Sequence, residues 1–100
     1  MSRLWTEIHA RWHVMFTALL AGEDVPPASR LRTEGLMEAI VLTGEMSTEE
    51  VQAHMEDAWL RASGNTFPAE FGEHWREFFP FPQIPVMGKR APVYPSTPVD

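Results

Sequence analysis

Proline placement constrains this chain more than any other feature. Pro80, Pro82, Pro85, Pro92, Pro95 and Pro98 recur through its last fifth. Each lacks a backbone donor and clashes with a preceding helical turn, so regular helix and central strand are both excluded there. Pro26 and Pro27 impose one break further upstream, and Pro68 suits a first helical position. Regular structure is therefore expected in residues 1–79, with residues 80–100 forming an extended arm.

Within the first 79 residues the apolar positions follow the helical period. Leu4, Trp5, Ile8, Trp12, Met15, Phe16 and Leu19 line one stripe of a first helix, with Ser2 as N-cap and Gly22 past its end. A second helix is expected from Ala28 to Thr43, with Leu36, Met37, Ile40 and Val41 on one face and Gly44 as stop. Gly35 costs this helix about 1 kcal/mol against Ala and suggests a close helix contact. Ser47-Thr48-Glu49-Glu50 is a capping box that opens a third helix, on which Val51, Met55, Ala58, Trp59 and Ala62 share a face. A short fourth helix is expected from Pro68 to Phe78, with Phe71, Trp75 and Phe78 on one side. The fold class is all-α: a small bundle of three to four helices with a proline-rich C-terminal arm. That arm carries Phe79, Phe81, Ile84, Val86, Met87, Val93 and Tyr94, too apolar for a solvated linker. It is expected to lie on its own helices or on another chain.

Charge and composition narrow the chemistry. The net charge is −6, and residues 1–79 hold six Arg against thirteen acids, a balance of −7. An acidic body repels phosphate, which disfavours nucleic-acid binding despite a generic helix–turn–helix-like stretch. With no cysteine there is no disulfide framework, thiolate metal cage or thiol nucleophile. The apolar runs Val14–Phe16 and Ala18–Ala21 fall far short of the roughly 20 residues a membrane span needs. A lone Arg3 and no hydrophobic region after it do not read as a signal peptide, so a cytoplasmic location is expected.

Few residues suggest chemistry by themselves. His9 and His13 stand four apart, a spacing that can place two imidazoles on one metal, although the glutamate of a metalloprotease helix is missing. Both lie on the shoulder of the apolar stripe, where packing or hydrogen bonding is the ordinary role. His54 and His74 are further candidates if the fold brings them near. Glu49 and Glu50 suit the cap and dipole of the third helix, and Glu56 and Asp57 its solvated face, better than acid–base catalysis. Lys89-Arg90-Ala91-Pro92-Val93-Tyr94-Pro95 matches a polyproline-groove ligand pattern, which arises often in proline-rich segments. The four tryptophans and six phenylalanines are a heavy aromatic load for so short a chain. Trp5, Trp12, Trp59, Phe79, Phe81 and Tyr94 are accordingly candidate partner-binding residues.

Three segments, in order, resemble one family. Ile8-His9-Ala10-Arg11-Trp12 followed by Phe16-Thr17-Ala18-Leu19-Leu20-Ala21 is similar to the first helix of the nitrile hydratase β-subunit N-terminal region. Glu34-Gly35-Leu36-Met37-Glu38-Ala39-Ile40, running into Gly44-Glu45-Met46-Ser47-Thr48-Glu49-Glu50, is similar to that region's second helix and following turn. Ala58-Trp59-Leu60-Arg61-Ala62 ahead of Thr66-Phe67-Pro68 resembles the ending of the small nitrile hydratase accessory proteins. The family's glycine-rich leader and barrel-like C-terminal half have no counterpart here, and Arg32-Thr33 replace its paired tyrosines.

The resemblance implies a non-catalytic helical subunit, half of a split β-subunit, that completes the active-site cleft of a metal-bearing α-subunit. A second β-like chain is a possible further partner. Cobalt(III) or iron(III) would be held by oxidised cysteines of the α-subunit, and this chain would carry no cofactor of its own. Arg30 and Arg32 are the positional candidates for the arginine that hydrogen-bonds those cysteine oxygens. An accessory protein for metal insertion, in which His9 and His13 would matter more, is the alternative within the family. A helical adaptor with a polyproline tail is the alternative outside it.

Overall fold

The computed structural model describes residues 2–86. It is an all-α bundle: α1 (Arg3–Leu20), α2 (Pro27–Leu42) and α3 (Thr48–Ser63), followed by two short helices, α4 (Phe67–Phe71) and α5 (Trp75–Phe78). The helix α1 packs against both α2 and α3, whereas α2 and α3 touch each other much less.

Local signals account for the ends of the long helices. The Ser2 hydroxyl accepts from the Trp5 amide at 3.0 Å, starting α1. At its other end Gly22 has φ +80°, and the amides of Gly22 and Glu23 donate to Leu19 and Ala18. That paired closure needs a left-handed residue, which glycine supplies without a Cβ penalty. Pro27 stands at the start of α2, where a missing donor costs nothing. The capping box of α3 is complete: Glu50 N–H donates to Ser47 Oγ at 3.1 Å, and Ser47 N–H donates to Glu50 Oε1 at 2.8 Å.

The expected fourth helix is split. Thr66 caps α4, and Gly72 at φ +98° ends it after one turn. The chain restarts as α5 with a changed phase. Trp75 is buried, but Phe78 is 72% exposed, because the break removes the register that would align it with Phe71. Phe79 takes the inward place and meets Phe71 at 5.9 Å between ring centroids.

The core is continuous. Ile8, Trp12, Met15 and Phe16 of α1 meet Met37 and Ile40 of α2 and Val51, Met55 and Trp59 of α3. Phe67, Trp75, Ile84 and Val86 extend the same cluster. An aromatic run links its parts: Phe16 to Trp59 at 5.0 Å, Trp59 to Phe67 at 5.9 Å, Phe67 to Trp75 at 4.8 Å. Such pairs add about 0.5–1.5 kcal/mol each beyond their burial. The indole N–H groups of Trp12 and Trp59 are buried without a hydrogen-bond partner among the described residues. Trp12 stands edge-to-face with Trp5, and Trp59 with Phe16.

The beginning of the arm belongs to this bundle. Gln83 N–H donates to Pro80 O at 2.7 Å, and Ile84, Pro85 and Val86 are buried. Of the two expected resting places for the arm, residues 80–86 occupy the chain's own helices. Met87, Lys89 to Pro95 and Pro98 lie outside the described residues. Gly35 is exposed, and a Cβ there would meet nothing within 4 Å. The expected close helix contact at Gly35 is absent, because the residue faces away from the bundle.

Candidate functional site

The helices α1 and α3 flank a groove of about 740 Å³. From α1 it is lined by Trp5, His9, His13, Thr17 and Leu20, successive residues of one helical stripe. From α3 it receives His54, Asp57, Ala58, Arg61 and Ala62. The short side chains of Thr17, Ala58 and Ala62 leave room between the longer ones.

Three of the chain's four histidines therefore face one groove. The His9 and His54 rings are 6.2 Å apart between centroids, one on each helix. Buried Trp5 touches both, at 4.4 Å and 4.9 Å, in edge-to-face geometry. Asp57 is paired with Arg61 at 2.8 Å along α3. The His9 imidazole titrates below the usual histidine range. Partial burial is the main cause and His54 the second; Asp57 opposes the shift and Arg61 adds to it. His9 is thus neutral at pH 7, with a lone pair available as acceptor or donor ligand. Among the described residues, no three His, Asp or Glu side chains converge on one point as they stand. His74 lies apart from the groove, against Glu77 at 3.3 Å on α5.

A second constellation lies at α2. Glu34 is buried, and its Oε2 accepts from Arg30 Nη1 at 2.8 Å and from the Ile84 amide at 2.7 Å. This carboxylate therefore fastens the arm to α2. Residues 30, 33, 34, 37, 40 and 41 fall on one face, so Glu34 occupies a core position flanked by Thr33 and Met37. Its role is not marked by any motif. An acid inside an apolar stripe, four residues after an arginine, was the available signal.

The two candidate arginines separate here. Arg30 is committed to Glu34 within its own chain. Arg32 is exposed and makes no ion pair among the described residues. The aromatic partner-binding candidates also divide. Trp5, Trp12 and Trp59 are spent in the chain's own core, where they present almost no surface to a partner. Phe79 and Phe81 are half-buried against that core, and Tyr94 lies outside the described residues. The large apolar side chains left exposed among the described residues are Val14, Leu20, Leu60, Phe78 and, on one outer stripe of α2 that also holds Gly35 and Glu38, Leu31 at 58% and Leu42 at 80%.

No family model, curated protein or solved structure matches the chain. Among the described residues no helix is long and apolar enough to cross a membrane.

Proposed function

We propose that this chain is a non-catalytic helical subunit of a nitrile-hydratase-type enzyme, docking on a metal-bearing α-subunit through the outer face of α2. The observation that carries the reading is the pair Leu31 and Leu42 turned to solvent on the outer side of α2, with exposed Arg32, which makes no ion pair among the described residues, next to Leu31 in the chain. Two exposed leucines on the same side of α2, with Gly35 and Glu38 between them, gain from being covered by another chain. The resemblance of residues 8–68 to the family supplies the partner's identity. In this role Arg32, rather than Arg30, reaches the oxidised cysteine oxygens of the α-subunit, as a forked donor suited to paired oxygens. The reaction's cobalt(III) or iron(III) belongs to that partner, and the reaction is hydration of a nitrile to an amide.

The test separates docking from chemistry. In an enzyme reconstituted with its α-subunit, Arg32→Lys lowers kcat by about 10–100-fold with assembly intact. Leu31→Glu with Leu42→Glu abolishes assembly while the isolated chain keeps its helical signal. Unchanged turnover in Arg32→Lys discards the arginine role, and intact assembly of the leucine double variant discards the face.

A second reading, a factor that handles metal during maturation of such an enzyme, is favoured by the gathering of His9, His13 and His54 on one groove. The adaptor reading rests on Lys89 to Pro95, outside the described residues.

A further inference from the structure

We propose that His9 and His54 form a two-imidazole clamp for a divalent transition-metal ion, with Zn²⁺ as its representative, tying α1 to α3. The proposal is independent of the docking face on α2.

Its first support is placement. The two rings come from different helices, face the same groove and stand 6.2 Å apart between centroids. Imidazole nitrogens bind zinc at about 2.0–2.1 Å, so two rings on one tetrahedral ion have centroids about 5 Å apart. Closing the remaining distance of about 1 Å needs only side-chain rotation. Both histidines stand at the surface, His9 partly covered by its neighbours, and neither belongs to the core cluster, so that movement leaves the core untouched. Buried Trp5 contacts both rings edge-to-face.

The second support is donor chemistry. Neutral imidazole suits zinc, nickel and copper, and the nearest carboxylate along the groove, Asp57, adds negative charge. Among the described residues Asp57 is ion-paired with the exposed Arg61, so it is able to turn toward a cation. His13, one turn beyond His9, faces the same space. Since no three such side chains converge as they stand, the clamp is bidentate and water completes the coordination.

A cross-helix ligand pair links metal binding to folding, since the unfolded chain does not hold residues 9 and 54 together. A pair on α1 alone, His9 with His13, needs nothing from α3. Zn²⁺ titration of the untagged full chain, after chelator stripping, distinguishes the two by calorimetry and thermal unfolding. The expected result is one ion per chain and a rise in Tm of several degrees at about ten-fold excess over Kd. His54→Ala, an exposed position whose variant folds, weakens binding by at least about ten-fold, whereas His74→Ala leaves it unchanged. No binding at about 100 µM Zn²⁺ overturns the clamp. So does a His54→Ala chain whose affinity stays within that ten-fold margin, or an equal loss in His74→Ala.

Discussion

At Glu34 one carboxylate oxygen joins two segments far apart in the chain, accepting from Arg30 on α2 and from the Ile84 amide in the arm. Breaking a buried hydrogen-bonded charge leaves its donors unpaired, which costs more than the bond itself contributes. Glu34→Ala therefore lowers unfolding stability by about 1–3 kcal/mol, read from urea denaturation, and the Ile84 amide exchanges faster with solvent. Residue-scale chemistry also gives the bundle a pH response. The folded state holds His9 below its ordinary pKa of 6.5, so the unfolded chain takes up that proton more readily. This contribution to stability is complete above about pH 6.5 and is lost as pH falls through the lower folded value. In chelator-containing buffer, the urea midpoint drops less between pH 7.5 and 5.5 for His9→Gln than for the unaltered chain. Equal drops would remove His9 as a source of the response.

Among the elements, α2 departs furthest from an ordinary amphipathic helix. It buries Thr33, Glu34, Met37 and Ile40 on one side and leaves Leu31 and Leu42 in solvent on another. Its interior glycine, Gly35, adopts helical backbone with open space where a Cβ would be. Gly35→Ala raises stability of the isolated chain by about 0.5–1 kcal/mol in chemical denaturation, through helix propensity and a less disordered unfolded chain. The three long helices were legible because periodicity and caps are local: Ser2, Gly22 and the Ser47–Glu50 box each act within a few residues. The split of the fourth segment was harder to read. Gly72 was visible, but whether a helix breaks there depends on Phe67, Phe71 and Trp75 packing together, which periodicity does not report. Glu34 eluded the same reading for a related reason, since its second donor, the Ile84 amide, lies in a segment with no periodic pattern.

Across the whole molecule, the aromatic load has two destinations. Trp5, Trp12, Trp59, Phe67 and Trp75 all enter one core, so abundance of tryptophan marks a well-filled interior rather than a partner surface. Trp59 is central to it, touching Phe16, Phe67 and Phe71. Trp59→Ala costs about 3–5 kcal/mol, a large share of the roughly 5–15 kcal/mol available to a small domain, and broadens or abolishes the thermal transition. The apolar surface left exposed is carried by Leu31 and Leu42 on α2 together with Val14, Leu20, Leu60 and Phe78, residues whose exposure follows from three-dimensional packing rather than from composition. The groove was legible only in part: the spacing of His9 and His13 is local, whereas the nearness of His54 depends on α1 lying beside α3. The proposed role is that of a subunit docked through α2. Size-exclusion chromatography of the chain co-expressed with a nitrile-hydratase-type α-subunit tests it most directly. Co-elution in a stable complex, lost with Leu31→Glu and Leu42→Glu together, is the predicted result; elution of the unaltered chain apart from the α-subunit would contradict it.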